Sequence, residues 1–202
     1  MQFEPALAIV GTLKRRFGEP MTVTGICREA PLSYQPVYEY VRRLGEAEVL
    51  SIRKAGQRLL CEPAATASGS LWLAQWSIRE LRIVGDASLR ELAGAVEGRM
   101  GERACPLTAI VALDPGDGGR PELRCTVAGL VDLGPGATVR VVSSEGLTGW
   151  LRGPEGLWEV ARRVIPLAGH QQLWALALAA RDEAAPRPDR PSPAKRRSIF
   201  MD

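Results

Sequence analysis

The stretch PMTVTGICREAPLSYQPVYEYVRRLGEAEVLSIRKAGQRLLCEP, residues 20–63, decides the fold of this chain. A short helix is expected after Thr22 or Thr24, with Val23, Ile26 and Cys27 on one side, ending at Ala30-Pro31. Ser33 suits an N-cap for a second helix, and Pro36 is tolerated in its first turn. Val37, Tyr40, Val41 and Leu44 recur at helical spacing and predict one buried face for this helix over 33–46. Val49 to Arg53, the turn Ala55-Gly56, and Gln57 to Cys61 then predict a β-hairpin. Upstream, EPALAIVGTLKRRF (4–17) predicts an amphipathic helix with Leu7, Val10, Leu13 and Phe17 inward and Lys14, Arg15 and Arg16 outward.

Three helices followed by a hairpin is the layout of a winged helix-turn-helix. In MTVTGICREAPLSYQPVYEYVRRLGEAEVL followed by RKAGQRLL the chain resembles that large superfamily of bacterial and archaeal regulators. The resemblance spans the first third of the chain. It implies a second helix of the pair that enters the major groove of double-stranded DNA, with the hairpin as wing. Winged helices also serve as protein-interaction modules, so the fold does not decide the function.

Two surfaces of residues 1–63 are candidates for DNA contact. The helix offers Ser33, Tyr34, Gln35, Tyr38, Glu39, Arg42 and Arg43, with Gln35 and Tyr38 near the end that reaches base edges and the arginines placed for phosphates. The wing offers Arg53, Lys54, Gln57 and Arg58 around a small turn. A solvated charged face is the competing reading of each basic residue alone. The net charge of +3 is too small to announce a nucleic-acid partner. Its distribution says more. Residues 1–63 hold nine Lys/Arg against seven Asp/Glu, residues 64–180 eleven against twelve, and the remainder six against four. The positive excess sits in the first segment and the tail, where phosphate contacts would need it.

Residues 64–70, rich in small turn formers, read as a linker. An α+β domain is expected over 71–181, for dimerisation, sensing or partner docking. LWLAQWSIRELRIV (71–84) predicts a helix with Leu71, Trp72, Trp76, Ile78, Leu81 and Ile83 mostly on one face. Its two tryptophans pack either on the first domain or on a second protomer. A capping box predicts a helix over 88–100. Strands are expected over 107–113, 122–133 and 138–142, and helices near 154–163 and 169–181, giving a sheet with helices on one face. Whether this unit folds independently is left open by the sequence.

Enzyme chemistry finds no footing. The loop DPGDGGRP (114–121) has two aspartates, no lysine and no Ser/Thr at Walker spacing, and an EF-hand would need Glu where Cys125 stands. Ser143, Ser144 and His170 have nothing to orient them as nucleophile and base. The order of winged helix, helices, strand–loop–strand, VRVVSSEGL and GPEGLWEVARRVIPLAG is also similar to winged-helix proteins carrying a small nucleotidyltransferase domain. There the resemblance departs from the family pattern, because VALDPGDGG replaces the Gly-Ser motif and Asp132 stands alone in place of an Asp-x-Asp pair. Such kinship implies a non-catalytic domain, and no active site or cofactor is carried over.

Cys27, Cys61, Cys105 and Cys125 are widely separated with no CxxC pair, which reads as buried reduced thiols and no metal site. No apolar run reaches the length of a membrane span, and MQFEPALAIV lacks a basic leader segment, so a cytoplasmic protein is expected. The tail over 182–202 is proline-rich and aperiodic, which predicts disorder. Within it Lys195, Arg196 and Arg197 precede Ile199, Phe200 and Met201, a basic grip and an apolar anchor for a protein partner or for phosphates. Two functions remain. One is a dimeric DNA-binding transcriptional regulator, and the other a non-catalytic adaptor subunit of a nucleic-acid-processing, mobile-element or defence assembly.

Overall fold

The computed structural model describes residues 3–83, 91, 94–95, 110–113, 122–125, 138–141, 144–153, 156–162 and 164–184. Among these, the chain is mixed α+β, with seven helices and two sheets. Helix α1 (Phe3–Arg15) is followed by the two-residue strand β1 (Met21–Thr22), α2 (Val23–Glu29) and α3 (Tyr34–Glu46). Strands β2 (Leu50–Ala55) and β3 (Arg58–Pro63) form an antiparallel hairpin, and β1 adds to the far edge of β3 to give the order β1-β3-β2.

Local chemistry explains these boundaries. The Thr22 hydroxyl accepts the Gly25 N–H at 3.0 Å and caps α2. Ser33 takes the N-cap position of α3 in extended backbone but makes no side-chain capping bond, which leaves its hydroxyl to the surface. The hairpin pairs Ala55 with Arg58 across the loop Gly56-Gln57, and Gly56 supplies a φ of 62° that a side chain rarely adopts. Helix α3 ends with Val49 N–H donating to the Leu44 carbonyl and Glu48 N–H to the Gly45 carbonyl. That is a Schellman motif with Glu48, at φ 57°, in the place glycine usually takes.

The expected linker at 64–70 is not a linker. Residues 67–70 form the first turn of α4 (Ala67–Ile83), and Ala64 and Ser70 are buried. Thr66 stitches the junction, its hydroxyl donating to the Glu48 carbonyl at 2.6 Å and accepting the Gly69 N–H at 3.0 Å. The outward placing of Lys14 is also corrected. Its side chain is buried, and Nζ meets Glu80 of α4 at 2.8 Å. The ammonium is tolerated there because a carboxylate partners it.

Three further helices follow: α5 (Ser144–Arg152), α6 (Gly156–Arg162) and α7 (His170–Ala184). Helix α4 packs along α1 and α7, so the core runs without a break from the first helices into the last. Its buried face is Ser70, Leu73, Ala74 and Ser77, whereas the predicted inward Leu71 is 45% exposed. Small residues win that face because they let α1 and α7 approach. Trp174 of α7 is fully buried, its Nε1 donating to Ser77 Oγ at 2.8 Å and its ring 5.5 Å from that of Phe17. Arg181 of α7 is buried too, and donates from Nη1 to the Pro63 carbonyl at 2.8 Å, 3.7 Å from Glu62. Of the two tryptophans left open by the sequence, Trp76 lies on Gly11 of α1 and Trp72 against the same core, so both pack within the chain.

The second sheet has the order β6-β5-β4-β7, from β4 (Ile110–Leu113), β5 (Glu122–Cys125), β6 (Thr138–Val141) and β7 (Val164–Ala168). Strands β5 and β6 run parallel, and the other pairs antiparallel. The strand β7 carries little signal in the sequence because Pro166 interrupts it. It is an edge strand, where a residue without an N–H is tolerated. Helix α5 also carries little local signal, since Gly146 and Gly149 lower its propensity. The predicted helix over 88–100 is described only at 91, 94 and 95. The 114–121 loop, Asp132, Ser143 and residues 185–202, with Lys195, Arg196, Arg197 and Phe200, lie outside the described residues. Helix α7 continues through Ala184, so the first three residues assigned to a disordered tail are helical. Among the described residues, no helix is long and apolar enough to cross a membrane.

Candidate functional site

A cleft of about 590 Å³ opens between α2, the first turns of α3 and the tip of the hairpin. The α2 side contributes Thr22, Val23, Thr24, Gly25 and Arg28, α3 contributes Tyr34 and Tyr38, and the hairpin contributes Lys54, Gln57, Arg58 and Leu59. Three of these side chains are cationic and, among the described residues, no carboxylate lines the cleft. Arg28, Lys54 and Arg58 are all exposed. Three like charges around one concavity raise the local potential above what a net charge of +3 suggests.

The nearby acids are turned to other work. Glu29, next to Arg28, pairs with Arg16 at 3.0 Å. Glu39 on α3 accepts from Gln35 Nε2 at 3.3 Å, and Glu46 pairs with Arg42 at 3.7 Å. The aromatic lining is ordered as well. Tyr34 and Tyr38 are one helical turn apart, with ring centroids 6.3 Å apart and planes inclined by 18°. Tyr38 is half-buried and packed on the core, while Tyr34 is 54% exposed.

Five of the eleven helix and wing residues read from the sequence meet here, namely Tyr34, Tyr38, Lys54, Gln57 and Arg58. Ser33 and Gln35 are exposed on the same end of α3 without lining the cleft. Arg42 and Arg43 are exposed farther along; Arg42 stands about 12 Å from Tyr34 down the helix axis at 1.5 Å per residue. Arg53 is half-buried on β2, and its Nε has no hydrogen-bond partner among the described residues. Sequence reasoning missed the α2 wall. Its signal was the spacing of Thr24 and Arg28, four apart and opposite the buried Val23 and Ile26.

The remaining chemistry-bearing side chains do not converge. His170 opens α7 half-buried, and desolvation lowers its pKa. Cys61 is a buried free thiol, pushed up to about 12 by burial and by the neighbouring Glu62 charge. Cys27 is a half-buried free thiol. Among the described residues, no group of three His, Cys, Asp or Glu side chains is placed to hold a metal. Chemically, the cleft can attract an anion, stack a planar group on Tyr34 and offer hydrogen bonds from Thr24 and Gln57. No protein-family model, curated protein or solved structure matches the chain.

Proposed function

We propose that this chain is a DNA-binding transcriptional regulator that grips double-stranded DNA through a winged helix-turn-helix spanning α1 to β3. The observation that carries the reading is the carboxylate-free cleft with Arg28, Lys54 and Arg58 on its rim, set between a helix pair and a hairpin. The three cations take backbone phosphates, which gives attraction without sequence preference. The exposed end of α3 then meets base edges with Ser33 and Gln35, beside the half-buried Tyr38, an amide being suited to adenine. Arg42 and Arg43 reach flanking phosphates. The homodimer that a two-fold operator requires belongs to the same proposal, as does docking of a protein partner by the basic-apolar end of the tail.

The test is binding of a labelled duplex by the full chain across a series of salt concentrations. Each phosphate neutralised contributes a slope of about −0.9 in log K against log salt, so three contribute about −2.7. Replacing Arg28, Lys54 and Arg58 together by Ala removes that share of the slope and weakens binding at low salt. All three are exposed, so the fold survives. Unchanged affinity and slope in the triple variant end the reading. Absence of duplex binding, with capture of a neighbouring protein through the last ten residues, favours the adaptor alternative instead.

A further inference from the structure

We infer that the cleft accepts one unpaired nucleotide, so that the protein holds a duplex with an extruded or overhanging base more tightly than the same duplex fully paired. The inference rests on the nucleic-acid reading above and names the part of the nucleic acid that enters.

Shape is the first argument. The site is a half-open concavity of about 590 Å³, a volume within the range of clefts that hold a small molecule. An intact duplex is a broad convex rod whose bases are stacked away inside it. Laid across the cleft, it meets the cationic rim and leaves the cavity to water. A nucleotide swung out of its stack has the size and the thinness to fill it.

The aromatic pair supplies the second argument. Tyr38 is anchored against the core, and Tyr34 lies nearly parallel to it at 6.3 Å. The stack therefore has a fixed end and an open end. Tyr34 is one of three large apolar side chains left exposed among the described residues, and it is the one that lines this cleft. A nucleobase continues the stack as a third plane, covering aromatic surface that water now wets. Every base has such a face, so the stack tolerates any sequence.

Charge and polarity complete the set. Arg28, Lys54 and Arg58 flank the cavity as partners for the phosphates on either side of the extruded residue. Thr24 and Gln57 offer hydrogen bonds to its edge. Base plus phosphate is also the chemistry of a free nucleotide, and the experiment separates the two sources.

The experiment compares the full chain on three probes: a blunt duplex, the same duplex with a single-base bulge carrying 2-aminopurine, and adenosine monophosphate. The expected result is about tenfold tighter binding of the bulged duplex, the scale of one base–aromatic stack, with quenching of the 2-aminopurine emission. Tyr34→Ala removes both the preference and the quenching, and Tyr34→Phe retains both. The exposed position of Tyr34 leaves folding intact, which matched thermal unfolding curves verify. Equal affinity for blunt and bulged duplexes, each dependent on Arg28, Lys54 and Arg58, overturns the inference and leaves the duplex reading standing. Failure to bind either duplex overturns both. A preference that survives Tyr34→Ala, or adenosine monophosphate binding as tightly as the bulged duplex, also overturns it.

Discussion

Trp76 of α4 lies flat on the bare backbone of Gly11 of α1: a Cβ built at Gly11 would stand only 2.5 Å from the ring's Cδ2, and closer still to two other ring atoms. Glycine in a helix interior normally costs stability, and here it is kept for the close approach of α1 and α4. Gly11→Ala is expected to force the indole off α1 and destabilise the protein by about 1–3 kcal/mol, the usual range for overpacking. Urea unfolding followed by tryptophan fluorescence measures it, and an unchanged midpoint would refute the contact. Gly69→Ala is expected to cost more, since its Cβ meets the backbone of Ala64, which cannot rotate away.

Glu48 occupies the left-handed position that ends α3 without being a glycine. Left-handed backbone costs a residue with a Cβ roughly 1–2 kcal/mol. Glu48→Gly should therefore raise stability by about 1 kcal/mol, less the entropy gained by the unfolded chain. A lower urea midpoint in this variant would contradict the Schellman geometry. The hydrogen bond from Thr66 to the Glu48 carbonyl uses the main chain and survives the change.

Arg181 joins the last helix to the base of the hairpin through the Pro63 carbonyl and the nearby Glu62; the neighbouring Asp182 on the same helix holds its guanidinium, which lies 5.5 Å from the Phe17 ring. Arg181→Ala removes these bonds and the cover over Phe17 together, at an expected cost of about 3–5 kcal/mol, as for other broken buried ion pairs. Arg181→Met should recover part of it by refilling the volume. Equal stability of wild type and Arg181→Ala would show that α7 does not hold the hairpin.

Burial and the Glu62 charge hold the Cys61 thiol in its protonated form, up to a pKa of about 12 against an ordinary 9.0. The folded state thus binds the proton more tightly than the unfolded chain. Stability from this source is complete below pH 9 and is lost as pH rises from there toward 12. Urea midpoints taken at pH 8 and at pH 10.5 should differ in wild type and differ less in Cys61→Ala. A native thiol that reacts with iodoacetamide at pH 8 as fast as the unfolded one would disprove the burial.

Cations at the cleft and cations farther along α3 should not count equally. Arg42 already pairs with Glu46, so its loss removes a partly neutralised charge. Arg42→Ala with Arg43→Ala is expected to weaken duplex binding less than Arg28→Ala with Arg58→Ala, by about one unit of salt slope. Competition binding at two salt concentrations decides it. The reverse order would move the phosphate track away from the cleft.

Much of this was legible in residues 1–63. A helix start at Thr22 or Thr24, Pro31 beyond the end of α2, the Val37-Val41-Leu44 face and the glycine turn at Gly56 act through neighbours within a few positions. Local chemistry of that kind is written in the order of residues. Part of the lining of the candidate cleft was legible for the same reason, since the helix and the hairpin each announced their own exposed side chains. Arg28 escaped notice because nothing in α2 alone shows that it faces Lys54 and Arg58 across a gap.

By itself, the sequence determined the three helices and the hairpin of the first third and the exposed polar end of α3, but not the short strand β1. Only the tertiary structure decided that Lys14 turns inward to Glu80, that 64–70 runs into a helix, and that Trp174 and Arg181 tie α7 to α4 and the hairpin. Periodicity tells which face of a helix is apolar. Which partner covers that face, and whether a charge on its border finds a counter-charge there, depends on residues more than sixty positions away, and these meet only when the chain closes on itself.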